Sequence, residues 1–445
     1  MLSRPVVSGG NPPRPTRVRW RVMAFLVIVS ALTFVDRLNI SIAGRYIQKE
    51  FGLSTQTMGW ILSAFVLGYA LFQVPAGWLG DRYGSRKVIT VAIAWWSFFT
   101  ALTARASHLP FVRWVGVAWS FAIIRFVVGL GEGATFPNAN KIVAVWMGAT
   151  ERGIGNSTFL AGIGVGGALT PVLIAWMMVK FGWQFSFYAC GCVGFVIAVI
   201  WHSYLTDSPT KHPKVNAEEL AEIRGGAIDS PPRSGATDWK SIFSSSSVAA
   251  LVLSYFFLGY VSYLYYTWFY LYLVEVRHLG LVRGGLWGST PFLAMALMTP
   301  LGGWVSDFAV KRLGKRRGRQ GAVWLGLASS TVLLWVGSST AGNTAAILLL
   351  ACAAGFVGFS TTSWWATCND LTPNFSGSLS GLMNMGGNLG GWISPILTAY
   401  IAARWGWKWS LNFAGFMTLT AGALWFLINA DRALEIGCVQ VSEIA

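Results

Sequence analysis

The chain has 445 residues, of which 54% are hydrophobic and 11% charged, with a formal net charge of +16 and a mean hydropathy of +0.54. A soluble domain carries about 25% charged residues, so a water-soluble globular protein is excluded and a polytopic membrane protein is indicated. The cysteines (Cys190, Cys192, Cys352, Cys368, Cys438) and histidines are scattered, which excludes a disulfide framework or metal site, and no cofactor is expected.

Residues 1–20 carry Pro and Arg but no short apolar region with a cleavage site, and read as a retained cytoplasmic tail. Twelve apolar segments of spanning length follow, near 21–43, 56–77, 88–106, 114–139, 152–178, 184–206, 248–274, 285–308, 321–339, 343–367, 378–402 and 408–430. The stretch 207–247 holds prolines, a serine run and mixed charge, the composition of a linker. It divides the chain into six-helix bundles at 21–206 and 248–430, leaving 431–445 as a second tail. Lys and Arg crowd the tails, the linker and the loops after even-numbered spans, which places both termini in the cytoplasm. Topology therefore explains the basic excess, and no nucleic-acid partner is needed.

The two halves repeat each other. GWLGDRYGSRK (77–87) follows span 2 and GWVSDFAVKRLGKRR (303–317) follows span 8, so Asp81 corresponds to Asp307. Gly162, Gly166, Gly167, Pro171, Gly182, Trp183 and Gly191 each meet the same residue type 224 positions later. An all-α membrane protein of two pseudo-symmetric six-helix bundles puts its binding site between them, near the bilayer midplane.

Charges inside spans are costly, about 3 kcal/mol or more, and mark substrate or ion paths. Span 1 carries Asp36 and Arg37; span 4 carries Arg125 and Glu132, seven apart and so on one helix face. Arg37 lies about 24 Å into span 1, and Arg125 about 21 Å from the same end of span 4. Two guanidinium groups at one depth form a clamp for an oxyanion, because each binds a carboxylate as a fork. The alternative is that all four charges only pair with one another to hold helices together. Gly129, Gly131 and Gly133 leave span 4 thin, open to a neighbouring helix or a ligand. Tyr69 and Gln73 on span 2, Ser360, Thr361 and Trp364 on span 10, and Asn384 and Asn388 on span 11 form polar-aromatic faces. These suit a substrate with hydroxyl groups, with helix packing as the alternative for each.

GWLGDRYGSRK resembles the loop 2–3 signature of the major facilitator superfamily. That resemblance, with its second copy, covers spans 1 to 12 and implies the major facilitator fold. It makes Asp81, Arg82 and Asp307 gating residues, paired with neighbouring helices and released as the halves rock. FVDRLNISIAG (34–44) and RFVVGLGEGATFPN (125–138) together resemble the anion:cation symporter family within that superfamily. The resemblance implies that Arg37 and Arg125 hold the substrate carboxylate, and that Asp36 and Glu132 take part in proton coupling. YLYYTWFYLYLVE (263–275) resembles a family run on span 7: Tyr263 and Trp268 match, but Tyr270 stands where the family has proline, which weakens the expected kink. Tyr263 is a candidate partner for a substrate hydroxyl, with an ordinary packed aromatic as the alternative. SGLMNMGGNLGGWISP (380–395) resembles the family's Asn-x-x-Gly-Asn run.

The expected function is a monomeric secondary carrier in a cell inner membrane, not an enzyme, that moves a small organic anion together with protons. The favoured substrate is a sugar acid (hexuronate, aldonate or aldarate), with an aromatic or other small carboxylate as the alternative. Sodium in place of the proton, or exchange in place of symport, are further alternatives. No ATP-binding loop is present, and the duplicated plan argues against a channel or an embedded enzyme.

Overall fold

The structure is a computed structural model and describes residues 14–147, 152–225, 243–371 and 376–431. Every regular element among these residues is helical. In hydrocarbon each backbone N–H and C=O must be satisfied within its own segment, and a helix does this alone. Spans 1 to 3 are Val18–Phe51, Thr55–Tyr83 and Ser85–Thr103. Span 4 is Val112–Glu132, continued by Thr135–Trp146, and spans 5 and 6 are Arg152–Phe181 and Trp183–Tyr204. Span 7 is Ser246–Thr267 followed by Phe269–Glu275. Span 8 opens with Leu281–Gly288, and Thr290–Ser339 then completes span 8 and forms span 9, bending at Gly314 where φ is 81°. Spans 10 to 12 are Asn343–Leu371, Ser376–Trp405 and Trp407–Leu424.

These twelve crossings are the ones expected, but the helices outrun their apolar cores. Span 1 continues to Phe51 and stops only where Gly52 turns left-handed, at φ 64°. Asp81 and Asp307, expected in loops, stand on the last turns of spans 2 and 8. Span 7 breaks at Trp268 without a proline; the Trp268 indole instead donates to Pro395 O at 3.1 Å.

Two apolar cores form, one drawn mainly from spans 1–6 and one from spans 7–12. Gly166 and Gly390, a repeated pair, do the same work in each. A Cβ on Gly166 would strike Ala31 O of span 1, and one on Gly390 would strike Phe256 O of span 7. The repeated glycines thus let spans 1 and 5, and spans 7 and 11, pack backbone to backbone. Among the spanning helices, interior prolines fall at Pro75, Pro171, Pro300 and Pro395, on spans 2, 5, 8 and 11. Those four helices carry the main contacts between the halves, span 2 against span 11 and span 5 against span 8. A proline removes one helical hydrogen bond and bends the axis, so the bent helices are the ones that meet.

The halves meet at the end away from the basic loops. There Ser63 Oγ donates to Trp392 O at 2.5 Å, Ser41 Oγ to Tyr266 O at 3.2 Å and Ser289 Oγ to Ala168 O at 2.5 Å. Gly59 lies in the same layer: a Cβ on it would sit 2.7 Å from Pro395 O. Gly59→Leu is therefore expected to hold this end apart without disturbing either core. A single cysteine placed beside Ser63 should then react with a polar maleimide at least about tenfold faster, the ratio for a shift of about 1.4 kcal/mol; unchanged labelling would contradict it.

At the basic end the second half is tied together by an ion-pair network. Arg319 bonds Asp307 at 2.7 Å, Ser306 at 2.9 Å and Asp370 at 3.3 Å, which ties spans 8, 9 and 10 together. Asp207, after span 6, accepts from the Arg86 amide at the start of span 3, and Asp431, after span 12, accepts from the Arg316 amide at the start of span 9. The two halves thus repeat this contact, between spans 6 and 3 and between spans 12 and 9.

Candidate functional site

The four in-span charges gather at mid-depth in the N-terminal half, beside the second half. Arg37 Nη2 lies 3.7 Å from Glu132 Oε2, with Arg37 8% exposed and Glu132 0% exposed. The Arg37 guanidinium is held among aromatic rings, with Phe34 at 4.9 Å, Phe65 at 5.0 Å and Tyr69 at 4.7 Å. Arg125 packs on the same Phe65 ring at 4.7 Å and is buried. Asp36 turns inward among spans 3, 4 and 6, beside Trp96, Arg125 and Cys190. Two arginines and two carboxyl groups therefore share one buried site in equal number.

Equal numbers do not bring saturation. Neither oxygen of Asp36 or Glu132 accepts a hydrogen bond among the described residues, and Arg37 Nε and Nη2 and Arg125 Nε and Nη1 donate none. A buried ion with open hydrogen-bonding positions costs several kcal/mol in general. Arg37 is thus short of acceptors, which an anion at the interface would supply.

The packing of spans 2 and 4 follows from the glycines. A Cβ on Gly129 would strike Phe65 O, and one on Gly133 would sit 2.8 Å from Tyr69 O. The thin face of span 4 is filled by a helix, and this puts Phe65 and Tyr69 beside Arg125 and Glu132. The second half supplies Tyr263, whose hydroxyl donates to Asn388 Oδ1 at 3.1 Å, while Asn388 Nδ2 donates to Asn384 O at 3.1 Å. Arg37 and Glu132 are the charges acting on the Tyr263 hydroxyl, so this chain reaches the site from the other side. Tyr266 edges onto Phe34 with ring centroids 5.8 Å apart and stacks on Phe292 at 5.8 Å, closing the seam between the halves.

The structure places the other expected residues as follows, with Trp364 and Ser360 turned into the C-terminal core. Trp364 is wedged against Trp425 at 5.0 Å and Tyr255 at 6.0 Å in the C-terminal core. Ser360 donates to Phe356 O and is turned toward Gly326 of span 9, and Thr361 donates to Val357 O. Gln73 is half-buried with Nε2 unpartnered. Arg82 is exposed over Trp78 and Tyr83, at 5.5 and 5.6 Å, and the Asp81 side chain lies outside the described residues. Phe34, Phe65, Tyr266 and Phe292 were not singled out from the sequence. Phe65 stood four residues before Tyr69 and Phe34 three before Arg37, each on a face already of interest, and Tyr266 lay within the quoted span 7 run.

Two six-helix halves meeting around a buried cluster of two arginines and two carboxyl groups define a membrane transporter. The sequence matches the Major Facilitator Superfamily over residues 26–395 and 285–436; the chain belongs to that family. It is 31% identical over 427 residues to a probable galactarate/D-glucarate transporter of Escherichia coli (strain K12), covering 93% of this chain and 95% of the relative. It is likewise 31% identical over 392 residues to a probable sulfoacetate transporter of Cupriavidus necator, covering 88% and 89%. In fold it resembles a bacterial homolog of the human lysosomal transporter Spinster in an inward-facing, unoccupied conformation. The TM-score is 0.73 at 18% identity, over 96% of this chain and 98% of the other.

Proposed function

We propose that the protein is a proton-coupled symporter of an organic anion, a sugar acid such as an aldarate, working by alternating access. The observation that carries this is Arg37, caged by aromatic rings, short of hydrogen-bond acceptors and 3.7 Å from the Glu132 carboxylate. A substrate carboxylate offers Arg37 what Glu132 supplies only in part, and the two compete for it. Protonation of Glu132 removes the competitor, so proton and anion bind together. Asp36 is a second candidate proton carrier, buried behind the site beside Arg125. We read Tyr263, Asn388 and Asn384 as partners for substrate hydroxyl groups, and the Tyr263–Asn388 hydrogen bond beside the site supports a polyhydroxylated acid. The aromatic walls around Arg37 support an aromatic carboxylate as the second reading. We read the lysine and arginine bias as support for a cytoplasmic basic end with both termini on that side, and assign the protein to an inner membrane.

The test is a screen of purified protein against hexuronates, aldonates, aldarates and aromatic acids at pH 5.5 and pH 7.5, read by thermal shift and proteoliposome uptake. Sugar acids are expected to stabilise the protein more at the lower pH. Uptake indifferent to an imposed pH gradient would contradict the coupling.

Gating is assigned to the ends of spans 2 and 8. Asp81→Asn is expected to slow turnover about tenfold while equilibrium binding stays within about twofold, because the substitution alters a barrier and not the site. A binding loss as large as the transport loss would refute this assignment.

A further inference from the structure

At the basic end of span 1 two distant segments clasp each other. Residues 217–225 form a short helix within the expected linker. Its Glu219 accepts from the amides of Val18 at 3.0 Å and Arg19 at 2.9 Å, and from Thr16 Oγ1 at 2.7 Å. Asn216 Oδ1 accepts from the Thr16 amide and from the Glu219 amide, so each helix start caps the other. Glu222 holds Arg19 at 2.7 Å.

This clasp engages Glu219 and Glu222 and draws Lys214 beside the start of span 1. A groove of about 340 Å³ results, lined by Pro15, Thr16, Arg17, Val18, Arg21 and Lys214. Three of those six residues are cations and none is an acid. Arg17 at the helix start and Arg21 in the first turn both line the groove, and both are exposed with no ion pair among the described residues. Lys214 rests over Tyr204 at 6.0 Å. The groove opens where the apolar stretch of span 1 begins, at the level of lipid headgroups. Topology alone does not account for it. At the matching start of span 7, Ser245 and Ser247 satisfy the helix end, with Asn429 donating to Ser247 Oγ, and no cation converges there among the described residues.

We propose that this groove binds the phosphate-bearing headgroup of an anionic glycerophospholipid of the surrounding membrane. Three unpaired cations in a concave site at headgroup depth meet its charge, while the half-buried Pro15 ring meets its glycerol end. The clasp makes the site, because Lys214 reaches Arg17 and Arg21 only when the linker helix is docked on span 1.

The test uses the full chain in detergent, titrated with phosphatidylglycerol, with phosphatidylcholine and with inorganic phosphate, and read by native mass spectrometry and thermal shift. Phosphatidylglycerol is expected to bind and stabilise, and phosphatidylcholine to do neither. The exposed triple variant Arg17→Gln, Arg21→Gln, Lys214→Gln is expected to lose roughly a hundredfold in phosphatidylglycerol affinity, at about fivefold per cation. A control variant, Lys311→Gln with Arg312→Gln, should bind as the parent does. Glu219→Ala, which opens the clasp and removes no cation from the chain, should weaken binding as well. Equal affinity of the triple variant and the parent would overturn the proposal, as would equal stabilisation by phosphatidylcholine. Stabilisation by millimolar phosphate that matches the lipid would overturn the lipid as occupant.

Discussion

Arg37→Lys is expected to yield a folded protein whose uptake of its anion is about 10- to 100-fold lower, the cost of losing one charge-assisted hydrogen bond of about 1.5–3 kcal/mol. Lysine keeps the charge that offsets Glu132 and still fits among Phe34, Phe65 and Tyr69. It lacks the fork that grips both oxygens of a carboxylate. Arg37→Ala should abolish uptake altogether. It also strands a buried carboxylate, and breaking a buried pair costs about 3–5 kcal/mol. The double variant Arg37→Ala, Glu132→Gln restores neutrality and should recover thermal stability but not transport. Arg125→Ala should abolish uptake too, through loss of the cation that faces Asp36. Near-normal uptake in folded Arg37→Ala and Arg125→Ala variants would assign the arginines to helix packing alone.

Glu132→Gln is expected to separate binding from coupling. The amide resembles the protonated acid, so Arg37 stays free for substrate and affinity should hold or rise. Counterflow, in which labelled substrate exchanges for unlabelled across proteoliposomes, needs no net proton release and should continue within about twofold of the parent. Accumulation driven by an imposed pH gradient should vanish, because an amide carries no proton to release. The sign follows from competition: lowering pH protonates Glu132 and strengthens anion binding in the parent, while the Gln variant should bind equally at pH 5.5 and 7.5. If that variant still concentrates substrate with the parent's pH dependence, Asp36 becomes the coupling group.

Hydropathy and charge placement by themselves determined the twelve crossings, the duplication and the depth of Asp36, Arg37, Arg125 and Glu132. The reason is that a bilayer imposes one length and one polarity rule on every span. The match of Gly166 to Gly390 was equally visible, although its meaning, close packing of spans 1 and 5 and of spans 7 and 11, was not. Helical periodicity says which residues share a face but not which neighbour that face meets. Rotation about each axis is set by packing, and here close backbone contacts of Gly129 and Gly133 with span 2 set it. Only the tertiary structure therefore decided that Arg37 faces Glu132 rather than Asp36, and that Asp36 turns into its own half. The same packing made Phe65 a ring shared by both arginines. It also left Trp364 and Ser360 in the C-terminal core, because their face of span 10 meets spans 9 and 12 rather than the seam between the halves.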